Sequence, residues 1–200
     1  MKPVNRFSRL AWWVVAQLAS RDAPGRLEVV RAFVNTRNIE AGTDVLATPV
    51  DLAEWLAARH LASPGLRLEV SARRAATELR EALRTLLLAH NGHDVDTALA
   101  VEVLNQVSAS AGVRPVMAPD GAVGYSVADG GGIGALGGIV AIVYTAEGNG
   151  VWTRLKACSA DACQWAYYDA SRNRASRWCH MQVCGNRAKG QAFRARKAKR

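Results

Sequence analysis

A chain of 200 residues and 21.5 kDa, half of it apolar, builds one sizeable core or two small ones and excludes a large multidomain assembly. With 22 % charged residues and a mean hydropathy of −0.04, it is also not an intrinsically disordered chain. Twenty-six Lys and Arg against 17 Asp and Glu give a net charge of +9 and a pI near 9.9, which points to an anionic partner without saying which.

In chain order, Lys2, Arg6 and Arg9 precede an apolar stretch at 10–19 (LAWWVVAQLA), a pattern shared with secretion signals. Gln17, two tryptophans and the lack of a small-x-small cleavage site favour a buried or interfacial amphipathic segment instead. No run approaches the roughly 18–20 apolar residues that a membrane span requires, so the sequence reads as cytoplasmic with no membrane partner.

Leu27, Val30, Phe33 and Val34 recur at helical spacing and predict a short helix over 26–38, with Pro24-Gly25 as the break before it. Its polar end, Val34-Asn35-Thr36-Arg37-Asn38, is either a simple helix terminus or a projection into a pocket. Thr48-Pro49-Val50-Asp51 has the marks of a helix start, and Leu52, Trp55 and Leu56 form the buried stripe of a helix that Pro64-Gly65 ends. The clearest helix covers 71–89. Ala72, Ala76, Leu79, Leu83, Leu86 and Leu87 share one face, while Arg73, Glu78, Arg80, Glu81 and Arg84 occupy the others.

Asn91-Gly92 stops that helix, and Leu99, Val103, Leu104 and Val107 carry the next to about Ala111. Two β-prone runs, 113–117 and 122–127, flank the turn signal Pro119-Asp120-Gly121 and predict a hairpin. A glycine-rich stretch at 130–138 then precedes an apolar segment, 139–146, of the kind that is buried all round. Gly132-Ile133-Gly134-Ala135-Leu136-Gly137 spells a dinucleotide fingerprint. No βαβ unit accompanies it, so a flexible connection to a close-packed helix is expected instead. His90 and His93 are expected at the surface. No Gly-x-Ser-x-Gly, His-Glu-x-x-His or P-loop pattern occurs, and no enzyme is expected.

The charge is unevenly placed. Residues 1–150 carry 14 basic and 15 acidic side chains, whereas 151–200 carry 12 basic and two acidic. All four cysteines lie in that last quarter, with Trp152, Trp165 and Trp178. Gly148-Asn149-Gly150 is the expected boundary, which divides the chain into an extension at 1–23, a helical domain at 24–150 and a basic module at 151–200.

The cysteines are spaced Cys158-x4-Cys163 and Cys179-x4-Cys184, two close pairs separated by a hairpin's length of chain. Each pair can form a knuckle presenting two sulfurs, and together they make the four-thiolate set of one structural zinc ion. Disulfides are disfavoured in the cytoplasm, and unpaired core cysteines are disfavoured by the paired spacing. Four sulfurs leave no open position for a catalytic water. His180 could replace one sulfur, but it adjoins Cys179 and is expected to face the surface. About fifty residues bury little core, so the metal would supply folding energy of order 10 kcal/mol.

Residues 154–200 closely resemble the CGNR zinc finger: a first cysteine pair, an aromatic strand leading to Asp169-Ala170-Ser171-Arg172-Asn173, then Arg177-Trp178-Cys179, then Cys184-Gly185-Asn186-Arg187-Ala188-Lys189. Upstream, PGRLEVVRAFVNTRNIEAGTDVLATPVDLAEWL and ATELREALRTLLLAH resemble the ABATE domain that accompanies this finger in bacterial proteins described as stress-induced transcription regulators. The resemblance implies a DNA-binding regulator with zinc on Cys158, Cys163, Cys179 and Cys184, active at the nucleoid.

Beside the resemblance, Gly185 is expected to allow a tight turn and Asn186 to cap a helix that follows. Arg187, Lys189, Arg194, Arg196, Lys197, Lys199 and Arg200 on that helix and tail, with Arg172, Arg174 and Arg177 on the hairpin loop, form a cationic surface suited to phosphates. Arg187 and Lys189 are the candidates for fixed contacts, and the tail from Arg194 onward for sequence-independent attraction. Duplex DNA is the expected partner; a zinc-stabilised RNA- or protein-binding adaptor is the alternative. The helical domain is expected to bind a small effector, a partner or a second copy of the chain in a homodimer. The fold class is α+β: a mainly helical domain with a small hairpin, then a ribbon-like or treble-clef-like zinc finger ending in a basic helix.

Overall fold

The computed structural model describes residues 21–128 and 130–198. The stretch at 10–19, Lys199 and Arg200 lie outside the described residues. Helix α1 (Leu27–Val34) follows the left-handed Gly25 and buries Leu27, Val30, Phe33 and Val34. It ends four residues earlier than its periodicity suggests. The chain turns at Asn35 into a two-residue ladder, β1 (Arg37–Asn38) against β2 (Thr43–Asp44). Helix α2 (Pro49–Ala57) begins with a reciprocal capping box, in which the Thr48 amide donates to the Asp51 carboxylate at 2.8 Å and the Asp51 amide to the Thr48 hydroxyl at 3.2 Å. It stops before Pro64-Gly65, because His60 adopts a left-handed conformation (φ 55°).

Helix α3 (Val70–His90) is the 21-residue axis of the molecule. Leu79, Leu83 and Leu87 are buried as expected, but Arg80 and Arg84 are buried too, at 2 % and 3 % exposure. Each guanidinium has found internal acceptors. Arg80 forms a fork with Asp44 at 2.8 and 2.9 Å and also donates to Thr36 Oγ1. Burial works against the Asp44 carboxylate, yet the Arg80 fork outweighs it and holds its pKa below the usual carboxylate value. Helix α4 (Ala98–Ser110) buries Ala100, Leu104 and Val107, whereas Leu99 stands exposed.

The expected hairpin forms from β3 (Arg114–Met117) and β4 (Val123–Ser126), with Gly121 at φ 82° in its turn. The glycine-rich stretch departs from expectation: from Gly132 onward it belongs to helix α5 (Gly132–Gly148) and is not a flexible connection. A Cβ at Gly137 would collide with Ala111, and one at Gly132 would lie 2.7 Å from Leu68 Cδ2. These glycines let α5 approach α4 and the loop before α3. Among the described residues no helix is long and apolar enough to cross a membrane.

After Gly150, a single turn at Trp152–Arg154 leads into β5 (Leu155–Ala157), which pairs antiparallel with β6 (Ala166–Tyr168). Trp152, Leu155, Ala157 and Ala166 join the same hydrophobic cluster as the helices. Polar contacts complete the joint. Asn35 acts as a short extra strand beside β6, accepting from the Ala166 amide at 2.7 Å and donating to the Ala166 carbonyl at 2.9 Å. Arg84 donates to the carbonyls of Val34 and Gln164, and Asn91 to those of Ala157 and Arg177. His90 is not on the surface as expected: its Nδ1 lies 2.9 Å from the Leu155 carbonyl and its ring meets Trp152 edge-on.

Two expected outcomes follow from this joint. Asn35→Ala leaves the Ala166 amide and carbonyl unpaired and should cost about 1–3 kcal/mol, read as a lower urea midpoint of the whole chain. Burial lowers the His90 pKa. The folded state therefore resists protonation, and stability should fall as the pH drops below about 6.5, the usual histidine value. Urea midpoints between pH 7.5 and 6 should slope less in His90→Asn, which keeps a polar partner for Leu155 without a titrating ring.

Candidate metal centre

Strand β5 delivers Cys158 into a knuckle that closes at Cys163, where the Cys163 and Gln164 amides both donate to the Ala160 carbonyl. Gln164 then takes a left-handed conformation (φ 46°), turning the chain into β6. The second knuckle starts at Cys179 and ends in a wide helical turn, Met181–Gly185, which runs directly into helix α6 (Asn186–Ala198). Asn186 is therefore not a cap. His180, extended at φ −144°, is where the helical run begins, and Asn186 already has helical dihedrals. Gly185 serves close packing and not a special φ: a Cβ there would strike Met181 and sit 3.2 Å from Trp178 Cδ1.

The four sulfurs lie within 4.8 Å of one another, with Cys163 to Cys179 at 3.6 Å and Cys179 to Cys184 at 3.8 Å. A tetrahedron with Zn–S bonds near 2.3 Å places its sulfurs about 3.8 Å apart, so the set has the dimensions of one structural zinc site. Cys158, Cys179 and Cys184 are buried and Cys163 half-buried. Hydrogen bonds from Cys163, Cys179 and Cys184 pull the Cys158 pKa well down, while the same sharing pushes Cys163 and Cys179 up. A cation is what allows all four to be thiolates together.

Behind the sulfurs stands a second buried ion pair that sequence reasoning passed over. Asp169, 1 % exposed, accepts from Lys156 Nζ at 2.8 Å and from the Ser176 amide at 3.0 Å with one oxygen. Its other oxygen accepts from the Ser171 hydroxyl at 2.6 Å and the Ser171 amide at 3.1 Å. Burial alone would raise the Asp169 pKa, but Lys156 and Ser171 prevail and lower it. Lys156 donates also to the Arg174 carbonyl at 2.6 Å. One carboxylate thus folds the loop that carries Arg172, Arg174 and Arg177, all three of which are exposed. Arg21, ahead of the helical body, donates to the Trp178 carbonyl at 2.8 Å and lies over the Tyr167 ring.

Arg187, Lys189, Arg194, Arg196 and Lys197 are all exposed on α6, none of whose residues is buried. Arg187 donates to Glu40, in the turn between β1 and β2, at 2.6 Å, which ties the foot of the helix to the body. A separate cleft of about 660 Å³ opens where α1, β4 and α5 meet, with Leu27, Tyr125, Ile142 and Val151 in its walls and Arg26 beside them.

Four close thiols on two knuckles, a short hairpin and a following helix define a zinc-finger protein with a helical partner domain. Residues 154–197 match the CGNR zinc finger, and residues 27–142 match the ABATE family, described as "putative stress-induced transcription regulator". The chain belongs to the ABATE family, with the CGNR finger C-terminal to it. No curated protein matches it.

Cys184→Ser removes the sulfur from which α6 departs. It should release the zinc, measured with a chromophoric chelator, and quench the near-ultraviolet signal of Trp165 and Trp178. Retention of one tightly held ion with an unchanged spectrum would refute the four-sulfur site.

Proposed function

We propose that the chain is a zinc-dependent, DNA-binding transcription regulator whose contacts come from the finger. The observation that carries this reading is helix α6: thirteen residues, five of them cationic, with no buried side chain, rooted at the metal centre. Such a helix buries nothing against its own protein and is too short to be firm alone. A phosphate backbone supplies what it lacks. In this reading α6 meets the duplex with Arg187 and Lys189 near the rigid root, Arg194, Arg196 and Lys197 add attraction further out, and Arg172, Arg174 and Arg177 reach a neighbouring phosphate track. Zinc, on Cys158, Cys163, Cys179 and Cys184, sets the direction of the helix and takes no part in chemistry.

The cleft bounded by Val151 is the place for an effector under the same reading, because the next residue, Trp152, packs on His90 at the joint with the finger. Location at the nucleoid follows from the proposed partner.

Selection from random duplex DNA by the zinc-loaded protein should recover a preferred sequence, and its affinity should fall linearly in log–log plots against salt. Replacing Arg187 and Lys189 together by Ala should weaken binding and flatten the salt slope by about 2, since each phosphate contact contributes about 0.9. Zinc content should not change. Unaltered affinity at two salt concentrations would remove these residues from the interface, and binding only to RNA would favour the adaptor.

A further inference from the structure

One exposed aromatic side chain belongs neither to the metal centre nor to the joint with the helical body. Phe193 is 63 % exposed in the middle of α6, where a solvated helix would place a polar residue. Its neighbours on the helix surface are specific. Lys189, Phe193, Arg196 and Lys197 stand at i, i+4, i+7 and i+8, so they share one face with the ring at its centre and cations on either side. Arg187 and Arg194 lie about 100–120° round the helix from the ring. No Asp or Glu occurs after Asp169, so this face has no internal counter-charge within the last part of the chain.

That pattern selects among occupants. A second copy of the same face would bring cations against cations. An anionic lipid surface would call for a continuous apolar stripe, and α6 offers one large apolar residue. A DNA major groove, about 12 Å wide, admits a helix and presents phosphates along both walls with base edges on its floor. Cations flanking a central ring match walls and floor. The one apolar group exposed on that floor is the C5-methyl of thymine.

We propose that Phe193 is a base-reading residue, seated against a thymine methyl while Lys189, Arg196 and Lys197 hold the adjacent phosphates. This rests on the DNA-binding reading and adds to it a specified base and a specified side chain. It also gives the outer half of α6 a share in sequence recognition, where charge alone assigned it only general attraction.

The test uses the full-length zinc-loaded protein and the duplex recovered by selection. Each thymine is replaced in turn by deoxyuridine, which removes the methyl and keeps the pairing edge. At one or two positions the wild-type protein should lose about fourfold in affinity, the effect of one buried methyl. Phe193→Ala should bind the thymine and uracil duplexes alike, with zinc content, helicity and salt slope as in the wild type. Because Phe193 is exposed and Ala is a strong helix former, the variant should fold.

Equal loss on deoxyuridine substitution in wild type and Phe193→Ala, or no loss at any position, would overturn the assignment. Salt-dependent binding with no preferred sequence would overturn base reading by Phe193 while leaving the DNA-binding function standing. Absence of duplex binding would overturn both. Loss of self-association, or of binding to phosphatidylserine vesicles, in Phe193→Ala without thymine discrimination in the wild type would assign the ring to that other surface and refute the proposal.

Discussion

Four sulfurs held within 4.8 Å of one another in a largely buried site are the constraint on which the C-terminal quarter depends. Two thiolates about 4 Å apart repel by about 4 kcal/mol at an effective dielectric constant of 20, and four such groups cannot coexist ionised without a cation between them. Apart from its joint with the helical body, the finger has little else to hold it. Its strands are three residues long, and its own small core consists of Cys158, Tyr167, Cys179 and Cys184. The metal therefore supplies what packing would supply in a larger domain, and everything after Cys184 inherits its direction from it.

The hydrogen bonds across the joint show why this finger does not behave as a bead on a string. Asn35, Arg84, His90 and Asn91 come from the end of α1 and the last turns of α3, and each meets a backbone group of the finger. The buried charges at the joint are satisfied in the same economical way. Arg84 has carbonyls from two separate segments, and Arg80 just above it has the Asp44 fork. A change in the helical body that moves α1 against α3 thus changes the bed on which β6 lies. This gives the body a physical route to the metal centre, through backbone hydrogen bonds and not through a flexible linker.

Much of the finger was legible from spacing alone, because metal chemistry constrains sequence tightly. Two paired cysteines a hairpin apart admit few arrangements, and the four sulfurs came together as expected. The helices with clean apolar stripes were also readable, and so was the cap at Thr48. What periodicity could not show was where polar groups go when they are buried. Arg80 and Arg84 look like surface residues by type, and only the tertiary placement of Asp44, Val34 and Gln164 turns them inward. The glycines of α5 misled for a related reason. In isolation glycine signals flexibility, but against Ala111 and Leu68 it signals close approach, and nothing local in the sequence distinguishes the two. Asp169 was visible as part of a motif, while its function as the fold of the arginine loop depended on Lys156, thirteen residues away.

The net charge of the chain acquires a different meaning once these pairs are placed. The module from 151 to 200 carries +10 before ionisation of its thiols, and four thiolates with one zinc bring it to about +8. Lys156 and Asp169 cancel within the fold, whereas the Arg187–Glu40 bond is exposed, so the free charge is carried by the hairpin loop and by α6. The charges at the two ends of the helix complement its peptide dipoles. A zinc–tetrathiolate centre is dianionic and lies at the N-terminal end of the helical run, where the peptide dipoles are positive, while Arg196 and Lys197 sit in the last turn, where they are negative. Gly190 in its middle costs about 1 kcal/mol relative to Ala, and no side chain is buried to offset it. The helix is therefore anchored at its metal-proximal end, while its outer half stands exposed. A polyanion laid along its sides would relieve the repulsion among the cations and add order to a helix that the metal has already aimed.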